Sequence, residues 1–216
     1  MNYIYAPGCA LLSYKPQLAE RLKEEIEKTY GKVETMQTCC FSRPEVDPSD
    51  LCIITPCTTC AQNYAKQYPE AQIRFFLSDL AESETFPFPD YGGARMSIQD
   101  TCSARTNPVF LTTLRRLLER MNITLVEPAK SGSRAKCCGQ IMYGKADNAK
   151  IENFMKVRAA EMPCDDVVVY CASCIYSMQV GGKNSRYILD LLFNEPTIRI
   201  DCDNDEWHRR LYRFRK

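Results

Sequence analysis

Leu51-Cys52-Ile53-Ile54-Thr55-Pro56-Cys57-Thr58-Thr59-Cys60 and Val167-Val168-Val169-Tyr170-Cys171-Ala172-Ser173-Cys174 share one layout: a short apolar run leading straight into C-x-x-C. Apolar runs of this length, without polar alternation, read as strands buried on both faces, as in parallel sheets. Working outward, each C-x-x-C closes a set with the same internal order: a lone cysteine, an adjacent pair, then the C-x-x-C. The first set is Cys9, Cys39-Cys40 and Cys57/Cys60; the second is Cys102, Cys137-Cys138 and Cys171/Cys174. Ten of the 13 cysteines fall into these two sets, so the chain reads as a duplication built around sulfur.

Between the cysteines, short strands alternate with amphipathic helices. In the first half, residues 2–6 and 33–36 read as strands beside Leu51–Thr55, and Pro16 opens a helix with Leu18, Leu22 and Ile26 on one face, stopped at Gly31. In the second half, residues 95–99, 123–126 and 167–170 read as strands. Asn107-Pro108 supplies an N-cap and a first-turn proline to a helix whose face carries Phe110, Leu114, Leu117, Leu118 and Met121. A further helix is expected from about Asn148 to Met162. Arg74 to Leu80 and Arg186 to Leu192 echo each other after their C-x-x-C motifs. Residues 81–93, with Pro87, Pro89 and Gly92-Gly93, read as a connector. The expected organisation is α/β: a first half over 1–85, and a second over 91–216 that includes a C-terminal helix. Each half has a parallel, Rossmann-like sheet with its cysteines at the carboxyl ends of strands, where the loops of such sheets converge on ligands. The helix after each C-x-x-C would turn its N-terminus toward the thiolates and stabilise their charge. The halves are unequal: 32 residues separate Cys138 from Cys171, against 16 between Cys40 and Cys57, so the first is the abbreviated copy.

A net charge of +1 and the lack of a basic stripe argue against nucleic acid as a partner. The aliphatic runs fall far short of the ~20 residues that span a bilayer, and Met1-Asn2-Tyr3-Ile4-Tyr5 has no signal-peptide pattern. A cytoplasmic protein without direct membrane insertion is expected. An odd number of cysteines, clustered and partly vicinal, points to metal or redox work in a reducing compartment rather than to disulfides. No G-x-G-x-x-G or Walker loop is present, so electrons would be exchanged with a partner. A structural zinc site takes four thiolates and a cubane iron–sulfur cluster also takes four. Five per set points to an irregular cluster or a bridging thiolate, with a zinc-stapled interaction module as the alternative. The single histidine, His208, is remote from both sets, which leaves sulfur as the donor.

Gln99-Asp100-Thr101-Cys102, Cys137-Cys138-Gly139 and Val168-Val169-Tyr170-Cys171-Ala172-Ser173-Cys174 resemble the signature of the cysteine-rich CCG domain family, best known from the B subunit of heterodisulfide reductase. The resemblance implies two [4Fe-4S] clusters of the noncubane kind, made of two fused iron–sulfur units. One would be held by Cys9, Cys39, Cys40, Cys57 and Cys60, the other by Cys102, Cys137, Cys138, Cys171 and Cys174. It implies an oxidoreductase subunit that reduces a small disulfide or related sulfur substrate at cluster iron, favouring the second set, with electrons from an iron–sulfur or flavin subunit. Relatives in glycolate and lactate oxidation systems offer the alternative of an electron-transfer subunit for an organic-acid oxidase. The chain departs from the family pattern at Phe41, where glycine often follows the pair, and in the short spacing to Cys57, which leaves zinc open at the first site. It also lacks the histidine that flanks the lone cysteine in the family.

Outside the sets, Cys52 and Cys164 read as small buried hydrophobes and Cys202 as an exposed bystander. Arg105, Arg134, Lys136 and Lys145 are candidates to offset cluster charge or anchor an anionic substrate, or are simply solvated. Gly139 would let a backbone N–H approach sulfur. Tyr14, Tyr143 and Tyr176 are candidate proton donors or packing residues. Trp207, Leu211 and Phe214 form one face of the C-terminal helix, for packing on the chain's own sheet or for a partner.

Overall fold

The computed structural model describes residues 1–37, 39 and 47–215. The chain divides into two compact units, one made of Met1–Asp79 with the segment from Cys202 onward, the other of Leu80–Asp201.

In the first unit, strand β1 (Asn2–Tyr5) leads through Gly8 into the short helix α1 (Cys9–Tyr14) and then α2 (Pro16–Tyr30). Strand β2 (Glu34–Thr35), β3 (Leu51–Thr55), helix α3 (Thr58–Gln67), β4 (Gln72–Phe75) and α4 (Phe76–Glu82) follow. The four strands form one parallel sheet in the order β2-β1-β3-β4, with Tyr3 opposite Cys52 and Ile53 opposite Ile73. All five residues of the central strand β3 are buried, which is why the run lacks polar alternation. Ile4, Ala6, Leu51 and Ile53 pack on one face of the sheet with Met36, Cys39, Cys60 and Tyr64. Tyr5 points to the other face, where its hydroxyl donates to the carbonyl of Ala19 in α2 at 3.1 Å. Pro16 at the first turn and Gly31 at the end bound α2 as expected, and Leu18, Leu22 and Ile26 are buried along it. The strand expected over 33–36 is shorter, because β2 is an exposed edge that pairs only with β1.

The second unit repeats the plan with β5 (Ala94–Gln99), α5 (Pro108–Arg120), β6 (Ile123–Leu125), α6 (Asn148–Ala160), β7 (Asp166–Val169), α7 (Ala172–Val180), β8 (Asn184–Tyr187) and α8 (Ile188–Leu192). Its sheet is again parallel, in the order β6-β5-β7-β8. The fold is therefore α/β with two pseudo-repeated Rossmann-like halves. The expected echo is structural: Arg74 lies in β4 and Arg186 in β8, and each strand passes directly into a helix. Asn107 caps α5 by accepting from the Phe110 N–H at 3.0 Å, and Asp147 caps α6 by accepting from Lys150 N–H at 2.9 Å. The connector is without helix or strand from Ser83 to Gly93, but it is fastened where the Tyr91 N–H donates to Met121 carbonyl at 2.9 Å.

The final helix, α9 (Asn204–Tyr212), groups with the first unit rather than with the second, where the sequence placed it. It packs on α1, fully buries Trp207, and is fastened by Ser13 Oγ donating to Arg210 carbonyl at 3.1 Å. Leu211 and Phe214 are half-buried. Among the described residues no helix is long and apolar enough to cross a membrane.

Phe110, 1 % exposed, stands edge-on to Tyr170 with ring centres 5.7 Å apart, joining α5 to the end of β7. Phe110→Ala is expected to cost about 3–5 kcal/mol through the cavity it leaves. The exposed Thr112→Ala should stay within about 0.5 kcal/mol. Denaturant unfolding of the two variants checks both values.

Candidate metal–sulfur centres

In the second unit three loops leave the carboxyl ends of β5, β6 and β7, carrying Cys102, Cys137-Cys138 and Cys171. What gathers them is Asp100, a carboxylate with no exposed surface two residues before Cys102. It accepts two hydrogen bonds from the Arg115 guanidinium, at 2.7 and 2.6 Å, so its charge is paired. It also accepts from the Gly132 N–H at 2.6 Å, in the loop that leads to Cys137. The Tyr170 hydroxyl, adjacent to Cys171, donates to it at 3.1 Å and accepts from the Thr101 N–H at 2.8 Å. One carboxylate thus reaches all three cysteine loops. A second ring of polar contacts reinforces it: Gln99 donates to the carbonyls of Asp100 and Lys136, the nearly sealed Arg158 donates to Gln99 at 2.7 Å, and Glu161 pairs with both Arg158 and Lys136.

The five thiols of this set form a continuous string. Hydrogen bonding links Cys102 with Cys137, Cys137 with Cys138, and Cys174 with both Cys138 and Cys171, its one S–H shared between the two. Negative charge accordingly settles on two sulfurs. The Cys102 thiol beside Cys137 holds it well below the usual thiol range, aided by the N–H groups of Gly139 and Ile141. The Cys174 thiol draws Cys171 down to about 7, aided by the N–H groups of Cys174 and Ser173 at the start of α7. The donors move the other way: the bond to Cys137 pushes Cys138 up to about 12, and Cys102 and Cys174 are raised for the same reason. Cys138 and Cys174 are buried, while Cys102, Cys137 and Cys171 are half-buried. The string is not already a cage: among the described residues no group of three or more His, Cys, Asp or Glu side chains surrounds a point that suits a metal ion.

Gly139 has φ +110°, a left-handed conformation, and its N–H lies 3.4 Å from Cys137 Sγ. A Cβ there would meet Met155 Cγ of α6 at 2.9 Å. The glycine of the Cys-Cys-Gly run is therefore required by backbone conformation and by α6, besides letting its N–H reach sulfur.

In the first unit Cys57 caps α3, with Sγ accepting from the Cys60 N–H at 3.4 Å. The single S–H of Cys60 is shared between Cys39 and Cys57, which raises its own thiol well above the usual range. Helix α3 also fastens Cys39: Asn63 Nδ2 donates to its Sγ at 3.3 Å and Gln67 Nε2 to its carbonyl at 2.6 Å. Cys9 opens α1 after Gly8, whose φ is +82° and where a Cβ would lie 2.9 Å from Cys60 Sγ. The lone-cysteine loop and the C-x-x-C loop therefore meet. Cys40 and Phe41 lie outside the described residues.

Of the remaining candidates, Cys52 is fully buried, whereas Cys164 and Cys202 are half-buried, neither sealed nor bystanders in open solvent. Cys164 sits in the loop before β7, where its N–H donates to Ser97 Oγ at 2.9 Å. Lys136 is engaged by Glu161, and Arg134 and Lys145 are exposed. Arg105, three residues past Cys102, keeps a buried Nε with no hydrogen-bond partner among the described residues. Tyr14 and Tyr176 are buried and Tyr143 is half-buried. Tyr64, one turn after Cys60, shares a buried cluster with the first set's thiols, and the sequence reading passed it over. Its hydroxyl is buried without a partner among the described residues, a condition that costs about 1–3 kcal/mol when nothing satisfies it. Burial and then the charges at Cys60, Cys39 and Cys57 push its phenol far above its ordinary range, so it stays a neutral donor. Asp100 and Tyr170 were visible only as letters in a motif; spacing from the cysteines carries no sign that they meet.

The chemistry of the donors fits a thiophilic metal or an iron–sulfur group. Both sets offer sulfur as the donor, and the Tyr64 hydroxyl, buried without a partner among the described residues, lies in one cluster with Cys39, Cys57 and Cys60.

Removing the Asp100 charge takes away the buried half of the Arg115 pairing and leaves the guanidinium with only the more exposed Glu127, at 3.0 Å. Asp100→Asn is expected to lower stability by about 3–5 kcal/mol, read by denaturant unfolding. The exposed pair Lys150 and Asp147, at 2.8 Å, should yield less than about 1 kcal/mol when Lys150 is replaced by Ala. Gly139→Ala, forced toward Met155, should disturb the second set while leaving the first intact, as counted by thiol-reactive reagents on the two units.

No curated protein sequence matches the chain. Residues 96–179 match the family model described as a cysteine-rich domain, CCG. The match begins in β5, ends in α7, and contains Cys102, Cys137, Cys138, Cys171 and Cys174 with the Asp100 hub that gathers them. The stretch from Met96 to Gln179 is thus similar to the cysteine-rich domains of the CCG family.

Proposed function

We propose that the chain is an iron–sulfur redox subunit in which Cys102, Cys137, Cys138, Cys171 and Cys174 hold one [4Fe-4S] cluster of the noncubane kind. Cys9, Cys39, Cys40, Cys57 and Cys60 hold a second. The observation that carries this reading is the string of five sulfurs drawn from three separate strand ends, more thiols than a zinc site or a cubane needs. The activity proposed is reduction of a small disulfide. Its S–S bond takes two electrons from a partner iron–sulfur or flavin subunit and two protons, leaving two thiols. A bound cluster would supply one-electron equivalents and an iron able to take a sulfur ligand.

The chain's own residues prepare for this in three ways. Asp100 and Arg115 hold together the three loops that carry the second set's cysteines. Backbone N–H groups of Gly139, Ile141, Ser173 and Cys174 face Cys137 and Cys171 and stabilise thiolate charge. The half-buried Cys102, Cys137 and Cys171 are the ones a small sulfur compound can approach, whereas Cys138 and Cys174 are buried.

Protein purified without air is expected to contain iron and acid-labile sulfide in near-equal amounts, and Cys137→Ser should lose about half of each. Adding a soluble disulfide should change the electron paramagnetic resonance spectrum of the second centre. Stoichiometric zinc with neither iron nor sulfide overturns the reading. A spectrum unmoved by disulfide points instead to electron relay for an organic-acid oxidase. Loading is also expected to release protons, because Cys102, Cys138 and Cys174 are held protonated at neutral pH and must ionise to bind metal. Apparent affinity should therefore rise with pH, which calorimetry in buffers of different ionisation enthalpy measures directly.

A further inference from the structure

The middle of the first set's C-x-x-C helix differs from the matching stretch of the second. In α3, Cys60 is followed by Asn63 and Tyr64, three and four residues on, which places both on the helix face that carries the thiol. Tyr64 is fully buried in one cluster with Cys39, Cys60 and the partly buried Cys57. Its hydroxyl has no hydrogen-bond partner among the described residues. Asn63 Nδ2 already reaches Cys39 Sγ at 3.3 Å. In α7 the residues three and four after Cys174 are Ser177 and Met178. The Ser177 hydroxyl is turned back to the Ser173 carbonyl at 3.4 Å, and Met178, fully buried, offers no donor.

A buried phenol that packed only against carbon would serve equally well as phenylalanine, so the hydroxyl calls for an acceptor in the space the thiols share. We infer that Tyr64, together with Asn63, donates hydrogen bonds to the sulfur of an iron–sulfur group held by the first set, and so raises that centre's reduction potential. The physical basis is simple. Reduction adds one negative charge to the group, and a donor fixed against its sulfur stabilises the reduced form more than the oxidised form, most strongly in a sealed, low-dielectric site. The two centres would then differ in a control exerted by the side chains three and four residues beyond the C-x-x-C: Asn63 and Tyr64 on α3, Ser177 and Met178 on α7.

The inference rests on the reading that the first set holds iron and sulfide, and the test separates the two. Potentiometric titration is followed by electron paramagnetic resonance in anaerobic wild-type protein, Tyr64→Phe and Asn63→Ala, with iron content measured in each. Cys57→Ser identifies the first-centre signal by its loss. The expected result is that the half-reduction point of that signal moves to lower potential in both variants, while the other signal stays in place. A first-centre signal unmoved in Tyr64→Phe at wild-type iron content overturns the inference and leaves the proposed function standing. Should Tyr64→Phe fail to retain iron, an unmoved signal in Asn63→Ala overturns it equally. Wild-type protein with zinc and no iron overturns the reading beneath it.

Discussion

A carboxylate with no access to water holds the second unit's chemistry together. Isolated in such a place, Asp100 would be untenable as an anion. The bidentate Arg115 pair makes it tenable, and the two remaining directions are used for the Gly132 N–H and the Tyr170 hydroxyl. The consequence is geometric more than energetic. Three strand ends that a parallel sheet merely places in the same neighbourhood become one corner with fixed distances. Removing either partner of such a pair harms the fold more than the pair itself helps it, which suits a part whose task is to specify an arrangement.

The first unit reaches a comparable arrangement by other means. Pro7 stands two residues before Cys9 where Asp100 precedes Cys102, and Pro56 stands before Cys57 where Tyr170 precedes Cys171. Neither proline can take part in a carboxylate hub. Helix α3 does the gathering instead, with Cys57 as its cap, Asn63 and Gln67 on Cys39, and the Gly8 turn pressed against Cys60. One set is framed by buried charge, the other by a helix face and two rigid turns. Their surroundings differ even though their thiols follow one pattern.

Much of this was legible in the sequence because the signals were periodic or punctuated. The strands around Leu51–Thr55 and Val167–Tyr170 showed themselves by unbroken apolar runs, α2 and α5 by spaced leucines, and the caps by Pro16, Gly31 and Asn107. Two parallel sheets with cysteines at strand ends follow from that alternation. Other features arise only when distant residues meet. Asp100 and Gly132 are 32 residues apart, and the α9 helix carries an amphipathic pattern that says it must pack without saying on what. Tyr64 was readable only as one turn beyond a cysteine, a relation that becomes meaningful once α3 is known to begin at Thr58. Gly139 was read as a matter of access to sulfur; its left-handed backbone and the nearness of Met155 add a reason that no single stretch of sequence contains.

The chain's route gives the two units different histories. The first is discontinuous: Met1–Asp79 is completed by the segment from Cys202 onward, and all of Leu80–Asp201 lies between them along the chain. A polypeptide made from its N-terminus therefore exposes Cys9 to Cys60 long before the Trp207 helix exists to cover α1. The second unit is contiguous and can close its core as soon as its own residues have emerged. Synthesis thus completes the later half first. The earlier half waits with its sulfurs on a partly open scaffold, and the segment from Cys202 onward decides when it becomes whole.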